Sequence, residues 1–329
     1  MISAEDLLAA FSISSSDDFE LKWLDVGRFR DGVAGVHLEY YDYDIEEDMS
    51  EILLIDKSGN CVQAGLRKGA RPFSEGLSYR PNVYGYGGKF VNIKGEEFIS
   101  TDAKSVTDFS QGLAAFKNQE DLWGFMDKKG NVILENKWAE ARSFHENLAP
   151  VKNADGLWGF IQGNGDIYID CRWIAVGDFN EGRAWVRDAN ELFGYIDIRG
   201  NVLVPPKYAG VTDYQEKIAV VVDQQKNVKY LDLDGNLIME GWQASPSEIH
   251  DSSDFQFHDG IAIFRNDQGL FGCIDRTGKV VVEPIWKAIG GFSDGLLPVQ
   301  CFNGNCGYIR PVESNATRSA AAGNSNNLK

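Results

Sequence analysis

The amino-acid sequence predicts an all-β chain of about eight repeats of ~35 residues, three strands each, in an open curved or superhelical array. A closed β-propeller-like ring is the alternative. Three observations carry this. The aromatic residues Phe29, Phe73, Phe109, Phe144, Phe179, Tyr214, Phe257 and Phe292 recur at intervals of 44, 36, 35, 35, 35, 43 and 35 residues. Three positions after each marker stands Gly32, Gly76, Gly112, Gly182, Gly260 or Gly295, with Asn147 and Lys217 as departures. This is the pattern of a left-handed turn residue ahead of a strand. Beyond it, small residues five positions from the marker alternate with larger apolar ones at seven, as in Ala149 and Val151, which is strand periodicity.

Within each unit the first strand follows this turn. Pro150 and Pro298 lie inside it, and because proline offers no N–H to a ladder, the first strand is expected at a sheet edge. The second strand is Trp123-Gly124-Phe125-Met126 and its equivalents, where an internal glycine signals close backbone approach or an aromatic lying over it. Asp127-Lys128-Lys129-Gly130-Asn131, Asp197-Ile198-Arg199-Gly200-Asn201 and their counterparts read as tight hairpin turns into a third strand such as Val132-Ile133-Leu134. A second aromatic, Trp138, Trp173, Tyr208 or Trp286, falls six residues before the next marker. Trp23 holds the same place before Phe29, so Phe19–Trp23 reads as a third strand, while the array ends on the second strand Cys306–Arg310. That split of one unit between the two ends suits a ring closure and a truncated open array alike.

The expected organisation is an N-terminal arm at 1–18, the repeat array at 19–310 and a disordered tail at 311–329. Residues 3–11 form a short helix in this reading, with Ser3 as N-cap. The tail is rich in Ser, Asn, Ala and Gly and has almost nothing with which to build a core.

The segments Trp123–Ile133 and Phe193–Tyr208 resemble the WG-containing repeat, also called the KWG repeat, of bacterial proteins. The resemblance is specific in the third to fifth and seventh copies and weak in the first, second and sixth, where Val228-Lys229-Tyr230 replaces the Trp-Gly-aromatic triplet. It implies a β-rich binding module and carries no catalytic residues over.

Composition narrows the function classes. The 32 basic and 49 acidic residues give a formal net charge of -17, which disfavours nucleic acid and suits a basic protein partner. No segment approaches the ~20 apolar residues of a membrane helix. The first residues lack the basic leader and apolar run of a signal peptide, so a cytoplasmic address is expected and no membrane partner. Cys61, Cys171, Cys273, Cys301 and Cys306 have no metal-ligand spacing, although Cys301 and Cys306 flank a hairpin turn. His37, His145, His250 and His258 are scattered over different repeats. No catalytic residue, metal site or cofactor is expected.

Two insertions break the period, at Tyr40–Glu51 and around Gly241–His250; insertions in repeat proteins map to loops that often bind, and the alternative is a solvated overlong hairpin. The partner-binding candidates are therefore Asp42, Asp44, Glu46, Glu47, Asp48 and Trp242. The favoured reading is a non-enzymatic protein-binding scaffold, in its sharpest form an acidic bacterial immunity protein or inhibitor that neutralises a basic toxin. The alternative is a glycan or cell-wall-binding module using Trp123, Trp158 and Trp242, and behind it a propeller-type enzyme.

Overall fold

Two kinds of turn cut each repeat into short antiparallel strands. After the marker Phe109, Ser110 and Leu113 exchange both backbone hydrogen bonds, at 2.9 and 3.2 Å, around Gln111 and Gly112. Both central residues have positive φ, 54° and 82°, which makes this a two-residue type I′ turn. The departures obey the same rule, with Asn147 at 67° and Lys217 at 69°. The residue before each also lies in the left-handed region, as Glu75, Glu146, Glu181, Glu216 and Asp259 show. The second kind of turn is built on Asp127, whose carboxylate accepts the N–H groups of Lys129 and Asn131 at 2.8 and 2.9 Å while Gly130 takes φ 82°. Asp197, Asp232 and Asp275 repeat this arrangement.

The computed structural model describes residues 22–26, 33–42, 47–56, 61–66, 71–82, 86–243, 255–266, 268–291, 295–301 and 306–311. The expected helix at 3–11, the tail beyond 311, Asp44 and Glu46 lie outside them. The strands in chain order are β1 (Lys22–Val26), β2 (Val33–Asp42), β3 (Glu47–Asp56) and β4 (Cys61–Leu66), then β5 (Leu77–Pro81), β6 (Gly88–Asn92) and β7 (Glu97–Thr101). They continue with β8 (Ser105–Val106), β9 (Leu113–Lys117), β10 (Trp123–Asp127) and β11 (Val132–Trp138), followed by β12 (Glu140–Ala141), β13 (Leu148–Lys152), β14 (Trp158–Gln162) and β15 (Ile167–Trp173). Next are β16 (Ala175–Val176), β17 (Arg183–Arg187), β18 (Phe193–Asp197) and β19 (Val202–Tyr208), then β20 (Gly210–Val211), β21 (Ala219–Val222), β22 (Asn227–Leu231) and β23 (Leu237–Gln243). The last are β24 (Ile261–Arg265), β25 (Phe271–Asp275), β26 (Val280–Trp286), β27 (Ala288–Ile289), β28 (Leu297–Gln300) and β29 (Cys306–Ile309).

Each repeat is an antiparallel meander, as in the sheet order β8-β9-β10-β11. The complete sheets therefore hold four strands where the sequence suggested three. In four of these five sheets the extra member is a two-residue strand three to four positions before the marker, too short to carry a periodic signal, and in the first it is the five-residue β1. It also corrects the edge assignment, because β9 lies between β8 and β10. The reasoning about proline holds locally nonetheless. At the position of Pro150, Ala115 and Val220 give their N–H groups to the Thr107 and Thr212 hydroxyls at 2.9 and 3.1 Å, not to a strand partner. Proline forfeits no ladder bond there. A second correction concerns Trp23, since β1 pairs with β2 as the first member of its own sheet and is not a third strand.

The glycine in the second strand is explained by a bulge in the third. Trp123 faces Trp138 and Phe125 faces Leu134, so two residues of β10 span four of β11. The bulged backbone closes over Gly124, where a Cβ would meet the Leu134 carbonyl oxygen at 2.6 Å and the Asn136 nitrogen at 2.9 Å. In β19 the bulge contains Pro205 and Pro206, which a regular ladder would not accommodate.

Within each of two compact parts of the chain the core runs from one sheet to the next along the markers. Phe109, Phe144, Phe179 and Tyr214 are buried, as are the second-strand aromatics Phe125, Phe160, Tyr195 and Tyr230. Four ring pairs join a second-strand aromatic to the marker of the following repeat: Phe90 to Phe109 at 4.9 Å, Phe125 to Phe144 at 5.1 Å, Tyr195 to Tyr214 at 4.9 Å, and Tyr230 to Phe257 at 5.7 Å. No single repeat completes its own core. Over the described residues the chain divides into two compact units, the first holding the three N-terminal sheets and the second the four C-terminal ones, with the division inside the fourth sheet.

A second set of links uses the acid in the type I′ turn. Glu75 accepts the Gly112 N–H at 3.0 Å, Gln111 that of Asn147 at 2.9 Å, Glu181 that of Lys217 at 2.7 Å, and Glu216 that of Gly260 at 2.9 Å. Holding a non-glycine residue at positive φ costs about 1–2 kcal/mol. A charge-assisted bond of about 1.5–3 kcal/mol to the next repeat offsets it. Burial alone would raise the Glu75 and Glu216 carboxyls, but Lys128 with the Gly112 N–H, and Arg276 with the Gly260 N–H, hold them below the ordinary 4.5. In the turns the Asn131 amide lowers Asp127, and Asn201 outweighs burial at Asp197, both relative to 3.8. All four folded values lie below the unfolded ones. Their stabilisation is therefore complete above the unfolded values and lost as pH falls through the folded ones. Thermal melts are expected to hold level down to about pH 5 and then to drop steeply toward about pH 2. A melting temperature unchanged between those limits would refute these carboxylates as links.

Candidate functional site

The first insertion extends a strand pair and is not a loop throughout. β2 and β3 each run ten residues, against five for β9 and β10, so the first insertion lengthens a strand pair by about 17 Å. Asp42 lies opposite Glu47 and Tyr41 opposite Asp48 at its distal end. Between Leu38 and Asp56 there is no Lys or Arg. Trp242 falls within β23, a third strand of ordinary length. The second insertion lies in 244–254, outside the described residues.

The other sequence candidates have structural roles. Trp158 is 8% exposed and Trp123 half-buried. His258 holds the position after its marker and its Nδ1 sits 3.0 Å from Gln215 Nε2, the same position one repeat earlier. The Ser74 and Ser110 hydroxyls use that position to reach the carbonyls of Phe109 and Phe144 at 2.7 and 2.5 Å. Cys273 is fully buried, which pushes its thiol up to about 12. Cys306 lies opposite Gln300, not Cys301. Among the described residues no three His, Cys, Asp or Glu side chains converge as metal ligands.

A cavity of about 570 Å³ opens between the second and third sheets, which sequence reasoning missed. Ile99, Phe116, Met126 and Val132 form its apolar walls, and Asn82, Tyr86, Ser100, Thr101 and Asp102 its polar ones. Its origin is a departure from the repeat. In the fifth repeat Tyr208 packs with Val221 and Leu231 of the next sheet. The matching residues here are Ala103, Phe116 and Met126, which share one cluster. The sequence holds a signal for this pairing. Where the residue six before a marker is aromatic, the residue seven after it is valine, as in Trp23/Val36, Trp138/Val151, Trp173/Val186, Tyr208/Val221 and Trp286/Val299. Where it is not, valine is replaced, as in Ala103/Phe116 and Asp251/Phe264. Phe116 and Met126 line the cavity and share a cluster with Ala103, so the cavity adjoins the place where the other repeats put an aromatic.

The neighbouring charge is inverted as well. Lys137, Arg172 and Lys207 lie over the rings of Trp138, Trp173 and Tyr208 at 5.1, 5.0 and 5.2 Å. The corresponding residue at the cavity is Asp102, whose carboxylate forms no ion pair or hydrogen bond among the described residues. Lys104, beside it, is engaged by Asp121 at 2.7 Å, and with Lys117 it lowers that carboxyl to about 2.

These features define a β-repeat scaffold whose successive sheets are joined through shared aromatics and turn acids. Residues 123–157, 158–190, 193–226 and 271–306 match the family described as WG containing repeat, so these four segments are WG repeats. The matched segments are the third to fifth and seventh copies, those in which the sequence carries the motif most fully. No curated protein matches by sequence. Among solved structures, similarity extends to BamB from Moraxella catarrhalis, with 9% identity over 88% of this chain and 95% of that one and a TM-score of 0.48. The C-terminal WD40 domain of Sif2 is similar at 12% identity over 80% of this chain and 82% of that one, with a TM-score of 0.42.

Proposed function

We propose that this protein is a non-enzymatic protein-binding scaffold whose acidic β2–β3 hairpin engages a basic partner. Its sharpest form is an immunity protein or inhibitor that neutralises a basic toxin. The observation that carries the reading is the register at the hairpin's distal end. Asp42 stands directly opposite Glu47, and like charges so paired destabilise a strand pair. A cationic partner surface relieves that repulsion, and the chain's net charge of -17 steers such a partner inward. The glycan reading has less support, because burial of Trp158 withdraws that ring from stacking.

Capture of partners from the native host at low and high salt tests this. Replacing Asp42, Asp44, Glu46, Glu47 and Asp48 with lysine is expected to weaken low-salt capture at least ~10-fold, and high salt to weaken capture by the unaltered protein. Capture indifferent to salt and to the five reversals contradicts the proposal.

A further inference from the structure

We infer that the cavity between the second and third sheets binds the aromatic side chain of a tryptophan or tyrosine that stands next to a lysine or arginine in a partner protein. The repeat itself describes the ligand. At the matching place the other repeats put Lys137-Trp138, Arg172-Trp173 and Lys207-Tyr208, a ring with a cation drawn over it. Here both members are absent, replaced by Asp102 and Ala103. What remains is a lining with apolar members, Ile99, Phe116 and Met126, and an acid, Asp102. An incoming ring recovers the apolar contact, and its neighbouring cation meets an acid that has no other partner among the described residues. The volume of about 570 Å³ lies within the range of about 300–1,000 Å³ usual for ligand sites. It therefore admits the ring together with part of the adjacent side chain.

This site is separate from the β2–β3 hairpin and does not depend on it. Calorimetric titration of the full chain with the capped dipeptides Lys-Trp and Glu-Trp tests it. Lys-Trp is expected to bind with a Kd below ~1 mM and at least ~10-fold more tightly than Glu-Trp. The double substitution Ala103→Trp with Phe116→Val restores the repeat's own pair. It is expected to fold with an unchanged or higher melting temperature and to abolish binding. Asp102→Asn is expected to retain binding and lose the preference for lysine. The hairpin variant with five charge reversals is expected to bind the dipeptide as the unaltered protein does, which separates this inference from the proposed function. Absence of Lys-Trp binding, equal binding of the two dipeptides, or undiminished binding by the filled variant overturns it.

Discussion

Replacing Phe125 with alanine is expected to cost about 3–5 kcal/mol, a large share of the stability of a chain whose repeats cannot fold singly. Phe125 is fully buried and its ring meets Phe144 of the next repeat at 5.1 Å. The substitution therefore removes core from two sheets together. In a one-dimensional array the interface term is what joins neighbours into one cooperative body. Equilibrium urea denaturation should show the transition moving to lower urea. Hydrogen exchange should quicken in both β9–β11 and β13, the sheets on either side of the ring pair. A loss under about 1 kcal/mol, or exchange altered in the third sheet alone, would contradict the shared core.

Gly194→Ala is expected to cost about 2–3 kcal/mol although it adds a single methyl group. The new Cβ would strike the Val204 carbonyl and lie 2.7 Å from the Pro206 nitrogen, both backbone atoms of the bulge in β19. Neither is the movable end of a side chain. Gly182→Ala serves as the contrast, since a Cβ there meets nothing within 4 Å and the cost is the strain of φ 75° alone. Thermal or urea unfolding of the pair decides the matter. Equal losses in the two variants would show that backbone freedom, not the crossing strand, explains the second-strand glycine.

Much of this architecture was legible in the sequence because it repeats. The left-handed turn at Asn147 followed from alignment with Gly112 and Gly182, and the backbone approach at Gly124 from a glycine inside a strand, whereas at Lys217 the sequence pointed only to a departure. The link made by Glu75, Gln111, Glu181 and Glu216 was written equally plainly, as an acid or glutamine in every copy two residues after the marker. It was missed because acids at turns read first as solvated charge. The two-residue strands such as Ser105–Val106 could not be seen, since they are too short for alternation and are defined only by their partner. The cavity was hidden for a different reason. It arises from a residue that is absent, Ala103 in place of an aromatic, and shows in the sequence only when positions on neighbouring sheets are compared in pairs.

The hairpin's extra length was visible as an insertion, and a longer hairpin was one of its two readings beside a binding loop. Acidic residues with interspersed tyrosines suggested a loop, whereas Tyr40, Tyr41 and Asp42 continue the ladder opposite Met49, Asp48 and Glu47. Tyrosine favours a strand, and pairing that is already under way at Val33 and Asp56 carries the acids with it.

The measurement that bears most directly on the hairpin's proposed role is hydrogen–deuterium exchange of the full chain, alone and with the partner captured from its native host. Protection gained across 38–51, the distal half of β2 and β3, is the predicted result. Protection confined to the C-terminal sheets, with exchange at 38–51 unchanged, would contradict it.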